Sequence, residues 1–213
     1  MKNYQHFLKT FGGYCLIISG LVSAIALCFH PDEFNPGSVL LDSWIWVHLA
    51  LLFAFTISIF GVVGLFSTLI EKTHLLGMVA FILGVIGCAG SAAVVVLEVF
   101  VFPPLASQST NQVPLMEMMS PTTPFHTLGV FFMSAVMTWI FAWVLIGIVL
   151  LRSNLFQRNV GILIIVASIA IAVPTHFAGG FSGILHIIFS LLFGASWVIL
   201  GNALVKNTAT NNS

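Results

Sequence analysis

From residue 11 onward the chain alternates long apolar stretches with short polar ones. Six stretches, at 11–29, 44–70, 75–102, 125–151, 160–175 and 183–205, consist almost entirely of Phe, Leu, Ile, Val, Ala, Gly, Met and Trp with a few hydroxyls. A bilayer core of about 30 Å needs roughly 20 such residues in helical form. The pattern therefore predicts an all-α integral membrane protein, a bundle of six transmembrane helices arranged as three hairpins. The fifth stretch is the shortest and holds Pro174, which neighbouring helices can accommodate near a helix end. Connections at 71–74 and 152–159 are short, while the longest loop, 103–124, is rich in Pro, Ser, Thr, Gln and Met. Residues 1–206 read as a single transmembrane domain and the polar tail 207–213 as disordered.

Composition strengthens this reading. Of 213 residues, 59% are hydrophobic and 6% are Asp, Glu, Lys or Arg, with a mean hydropathy of +1.13. Soluble domains carry about 25% charged residues, so a soluble fold is excluded. Six bases balance six acids to a net charge of zero, which removes bulk basicity as a reason to expect a nucleic-acid partner. The lipid bilayer is the expected partner, and the oligomeric state is open.

The few charges carry information by position. Numbering the spans from the N-terminus puts Lys2, Lys9, Lys72, Arg152, Arg158 and Lys206 on one side, and Asp32, Glu33, Asp42 and Glu117 on the other, leaving Glu71 as the one acid beside the bases. Bases near span ends favour the cytoplasmic side. The chain is thus expected in the cell membrane as a multi-pass protein with both termini cytoplasmic. Lys2 and Lys9 before an apolar run that ends in Ala24, Ile25 and Ala26 also resemble a secretory leader. The run exceeds the usual signal core of about 7–15 residues, so a retained first helix is expected; its cleavage would leave five spans.

On this topology His6 and His74 fall at the inner side. Five others fall at the outer end: His30 closes span one, His48 opens two, His126 opens four, His176 closes five and His186 opens six. Glu98, the one acid inside a span, supplies the same depth on span three. Small residues mark close-packed helix faces in membranes, and residues three or four apart share a face. Gly77, Gly84, Gly87, Ser91 and Glu98 form such a stripe on span three; Ser19, Ser23, Ala26 and His30 form one on span one; His186, Ser190, Gly194, Trp197 and Gly201 form one on span six. By the same rule span two presents His48, Leu52 and Thr56, span four His126, Gly129, Met133, Ser134 and Met137, and span five Ser168, Ala172 and His176. The other aromatics read as lipid-facing bulk and interfacial belts, Trp44 and Trp46 among them.

An ionisable group at membrane depth marks a site or a path. The first expectation is an outward-facing site of His48, Glu98, His126 and His186, with His30 and His176 peripheral and Ser91, Ser190 and Met133 behind them. Imidazoles with a carboxylate suit Zn, Cu, Fe or Mn, and an open metal position could activate water. The Met116-Glu117-Met118-Met119 run offers soft donors for copper or an apolar loop on the membrane surface. Two facing histidines would equally serve a b-type haem, with Gly129, Gly180 or Gly183 making room; covalent haem is excluded because no CxxCH occurs. The alternative is a proton-coupled carrier of a small solute or ion, in which Glu98 and the histidines relay protons. The breaks expected of discontinuous helices are confined to Pro174 and the turn at 177–180. A purely structural ring, each imidazole bonded to a carbonyl or headgroup, is the second alternative.

No HExxH pair, Walker loop, dinucleotide fingerprint or serine-hydrolase elbow is present, so the chain leans away from being an enzyme. Cys15, Cys28 and Cys88 form no CxxC pair and read as small packing residues.

Overall fold

The computed structural model describes residues 2–32, 35, 37–108, 121–177 and 184–209. Within its helices, the side chains of 2, 3, 71, 108, 173–177 and 207–209 lie outside the description. Every described element is helical. Helices satisfy all backbone polar groups within one segment, the condition that lipid imposes on a spanning chain.

Helix α1 is Lys2–Cys28. A short 3-10 turn, Ser38–Leu40, precedes the run Asp42–Phe100, which is broken by a non-helical residue at His74 (φ 44, ψ −134). That break makes two antiparallel arms, α2 (42–73) and α3 (75–100). Then follow α4 Phe102–Gln108, α5 His126–Ser153, α6 Arg158–Phe177 and α7 Ile184–Ala209. Among the described residues, five segments are long and apolar enough to cross a membrane: Tyr4–Cys28, Asp42–Ile70, Lys72–Ser107, His126–Ser153 and Ile184–Lys206. The apolar part of α6, Arg158–Ala172, is shorter, although the whole helix of 20 residues has a rise of about 30 Å at 1.5 Å per residue.

These helices fall on the expected stretches. The differences are at ends: α1 begins at Lys2, α7 continues to Ala209 through the first residues of the expected polar tail, and α4 continues beyond α3, its Pro103 and Pro104 in the first turn where proline costs no hydrogen bond. Residues 210–213, Glu33, the 116–119 run and the 178–183 turn with Gly180 and Gly183 lie outside the described residues.

Glycines fix which helices are neighbours. A Cβ on Gly12 would stand 2.7 Å from Gly64 Cα, and one on Gly20 would stand 2.6 Å from the Gly194 carbonyl, so α1 presses against α2 on one side and α7 on the other. Gly87 lies against Trp139, and Gly147 against Gly161 and Ile165, which joins α3 to α5 and α5 to α6. In each pair residue numbers rise on one helix as they fall on the other, so neighbours are antiparallel. Lys9, Lys72, Arg152, Arg158 and Lys206 therefore stand at one end. His30, His48, Glu98 and His186 stand at the other.

The interior is more polar than the lipid-facing surface. Ser19, Ser23, Ser91, Ser168, Ser190 and the three histidines named above are buried, while Phe29, Trp46, Leu75, Phe100 and Ile184 are exposed. The expected faces of α1, α3 and α7 are the buried ones, including Gly77, Gly84, Ser91 and Glu98. Two expected faces are corrected. On α2, Thr56 is exposed and the buried line runs His48, Leu51, Ala54, Ser58. On α5, Ser134 and Met137 are exposed, and Phe132, Ala135, Trp139 and Trp143 point inward. Gly87 lets the α5 backbone at Trp139 come close, and Gly90 faces the small Ala135, so α3 and α5 pack tightly here. Trp44 is also corrected: it is fully buried, not part of an interfacial belt, whereas Trp46 is 72% exposed as a belt residue should be.

Candidate functional site

The site begins with a helix-to-helix tie. Trp44, in the first turn of α2, donates its indole N–H to the backbone carbonyl of Glu98 at 2.7 Å. The Trp44 carbonyl in turn accepts from His48 Nδ1 at 2.6 Å, one turn further along. His48 stacks on Trp44 with ring centroids 4.1 Å apart, and its Nε2 stands 3.5 Å from Glu98 Oε2. That approach has ion-pair distance without hydrogen-bond alignment, because Nε2 makes no bond that meets the geometry.

The remaining histidines close around this pair. His30, two residues past the end of α1, donates from Nδ1 to the Pro31 carbonyl at 2.8 Å. Its ring lies 4.7 Å from that of His48. His186 donates from Nε2 to the Leu27 carbonyl at 2.5 Å, which also accepts from the His30 backbone N–H at the end of α1. Ser190 Oγ lies 3.4 Å from the same nitrogen. All four groups are at most 8% exposed.

These bonds assign tautomers, because a carbonyl can only accept. In its neutral form each ring carries its proton on the nitrogen facing the backbone: Nδ1 of His48, Nδ1 of His30, Nε2 of His186. The second nitrogen of His48 is then a lone pair facing Glu98. A carboxylate and a lone pair repel, so protonation of either group would favour this approach, as carboxylic acid against imidazole or carboxylate against imidazolium. His30 lies outside the spans. Burial first, then the neighbouring His48, hold its imidazolium well below the ordinary histidine range, against the pull of the Pro31 carbonyl and with a smaller push from His186.

A cavity of ≈ 120 Å³ lies beneath the cluster, with Glu98 and His30 in its wall. Ser91 is its third polar residue; Phe55, Phe132 and Trp139 are its aromatic ones. Val39, Trp44, Val94, Phe102, Phe132 and Ala135, with Met133 against them, form a second small core. A larger cavity of ≈ 580 Å³ lies between α7 and the α5–α6 turn, with Lys206 its charged residue. It is at the opposite end and has no part in this cluster.

The sequence-derived site is thus assembled in part. His48, Glu98, His186 and the peripheral His30 come together, with Ser91 and Ser190 beside them. His126 does not: it is exposed at the start of α5. The side chain of His176 is outside the description. Trp44 was missed, because a tryptophan near a span end has the hydropathy of a belt residue and nothing in the pattern shows that it bridges α2 to α3.

Among the described residues, whose side chains exclude that of His176, no group able to hold the metal expected from the sequence is assembled. A metal needs three or more donors converging at about 2.0–2.3 Å, and among the described residues no three His, Cys, Asp or Glu side chains form such a group. One nitrogen of each buried imidazole donates to the backbone, an arrangement that leaves the other nitrogen as a potential ligand, while His126 stands apart. The His30 and His48 rings lie 4.7 Å apart, so those two do not flank a macrocycle. The cavity of ≈ 120 Å³ is well below the roughly 300–1,000 Å³ of pockets for drug-sized ligands.

No family model, curated protein or solved structure matches the chain.

Proposed function

We propose that the chain is a six-span protein of the cell membrane with both termini cytoplasmic, and that its buried acid–imidazole pair couples proton binding to the passage of a small solute. The topology rests on the bases, all at the end away from the cluster, and on the 20-residue length of α6. The function rests on one observation: Glu98, 4% exposed, lines the central cavity and stands 3.5 Å from His48 Nε2. A carboxyl group so placed is costly to keep in a membrane. A proton taken up by Glu98 or His48 changes the charge beside the cavity.

The test is flux. Protein reconstituted in liposomes with a trapped pH-sensitive dye is challenged with pools of small metabolites. At least one pool moves the internal pH with wild-type protein, and Glu98→Gln abolishes the response while keeping its helical content and elution volume. Identical responses from wild type and Glu98→Gln to every pool overturn the reading.

A further inference from the structure

We propose that the larger cavity, between α7 and the α5–α6 turn, binds one anionic phospholipid from the leaflet at the basic end, its phosphate at the polar mouth and the start of an acyl chain along the apolar depth. The inference goes beyond the carrier reading and is independent of proton coupling; it uses the membrane reading only to set depth.

Shape comes first. At ≈ 580 Å³ the cavity falls within the roughly 300–1,000 Å³ of sites for small organic ligands. One wall is a single face of α7, where Ile199, Asn202, Ala203 and Lys206 are spaced by three or four residues. Ile199 and Lys206 are two turns apart, about 10 Å along the axis. The other wall is the turn and the start of α6, with Phe156, Gln157 and Val160. Because α6 and α7 run in opposite directions, both walls change in the same sense: Gln157 and Lys206 stand at the end of the bundle, Val160 and Ile199 deeper. A phospholipid presents its head and its chains in that order. Phe156 and Val160 are buried and back the cavity, whereas Ile199 is 44% exposed on the lipid-facing side of α7, so the deep end adjoins the surrounding acyl chains.

Charge selects the head. No Asp or Glu follows Glu117 in the sequence, so α5, α6 and α7 bring Arg152, Arg158 and Lys206 to this end with no acid of their own. Lys206 belongs to the wall, is exposed and makes no ion pair among the described residues. Lysine binds phosphate as a point charge, and its flexible stem lies along apolar surface while the ammonium group keeps to the polar boundary. The exposed amides of Gln157 and Asn202 add N–H donors for phosphate oxygens. Basic pockets between helices suit anionic lipid heads for these reasons. A choline head brings its own cation towards Lys206 and loses the net attraction. A soluble phosphate leaves the apolar depth unfilled.

The test is a lipid titration. Purified full-length protein in a neutral detergent is titrated with phosphatidylglycerol and with phosphatidylcholine of the same chains, and bound lipid is counted by native mass spectrometry. One phosphatidylglycerol binds per chain, more tightly than phosphatidylcholine, and a large excess of glycerol phosphate does not displace it. Lys206→Gln, at an exposed position that folding tolerates, weakens binding about fivefold, the worth of one base near a membrane surface. Lys9→Gln, which removes a base at the same end but on α1 and outside the wall, leaves binding unchanged. Ala203→Trp fills the cavity, keeps Lys206 and abolishes tight binding, with an unfolding midpoint in lipid-free detergent to show that the variant is folded. Equal affinity for the two lipids, equal losses in Lys206→Gln and Lys9→Gln, or full binding by folded Ala203→Trp overturns the proposal. Displacement by glycerol phosphate overturns it as well, by assigning the cavity to a soluble anion.

Discussion

At the scale of single residues, the cluster is a set of mutually dependent commitments. Glu98 is tolerable because His48 faces it, and His48 faces it because the Trp44 carbonyl fixes the ring. Removing one partner of a buried pair strands the other at a cost of about 3–5 kcal/mol, whereas replacing both by apolar groups is often neutral. His48→Phe should therefore lower the thermal midpoint in detergent more than His48→Phe combined with Glu98→Leu. His30 gives a pH dependence with a definite sign. Its imidazolium lies well below the usual 6.5, so the unfolded chain accepts a proton that the folded chain refuses. Stability is complete above about pH 6.5 and declines below it, by at most about 1.4 kcal/mol per pH unit for this site. Unfolding midpoints at pH 7 and pH 5 should differ less in His30→Phe than in wild type. Glu98 and the histidines were legible in the sequence because they interrupt apolar spans. Trp44 was not, because its role is a hydrogen bond to a backbone 54 residues away.

At the scale of helices, contact distance depends on what is missing from the side chains. α1 lies between α2 and α7 at glycine crossings, and Gly20→Val would place a methyl-bearing carbon 2.6 Å from the Gly194 carbonyl and 2.9 Å from Trp197 Cβ. Such overpacking costs about 1–3 kcal/mol. Gly90→Ala meets Ala135 Cβ at the longer distance of 3.2 Å, which a small shift of the helices relieves, and should cost less than Gly20→Val. Comparing the two unfolding midpoints checks the assignment of helix neighbours. The turn between α2 and α3 stores strain of another kind. His74 has φ 44 and ψ −134, a region that glycine enters freely and other residues reach at a cost. His74→Gly should stabilise the hairpin by about 1 kcal/mol, seen as a raised midpoint. Stripes of Gly and Ser on α1, α3 and α7 were readable from spacing. The face of α5 was not: Phe132, Trp139 and Trp143 have the same hydropathy whether they meet lipid or protein, and only the packing of α5 on its neighbours decides which.

At the scale of the molecule, antiparallel packing gathers the bases at one end and the acid–histidine cluster at the other. A reporter fused after Ala209 should be cytoplasmic and one inserted beside Thr122 extracytoplasmic; the reverse would overturn the proposed orientation. The sequence by itself determined that the chain is helical with long apolar helices suited to a membrane, where those helices lie and which end of each carries a titratable group. Those follow from the thickness of a bilayer and the high cost of charge within it, both of which act on each segment separately. Only the tertiary structure decided which of those groups meet. His126 and His186 both open a span and look alike in the sequence, yet one is exposed and the other reaches the Leu27 carbonyl on a neighbouring helix. Depth in the membrane is fixed by position along the chain, but the direction a residue faces depends on rotation about the helix axis. That rotation is set by the shapes of neighbouring helices, which hydropathy does not encode because lipid and protein interior are equally apolar.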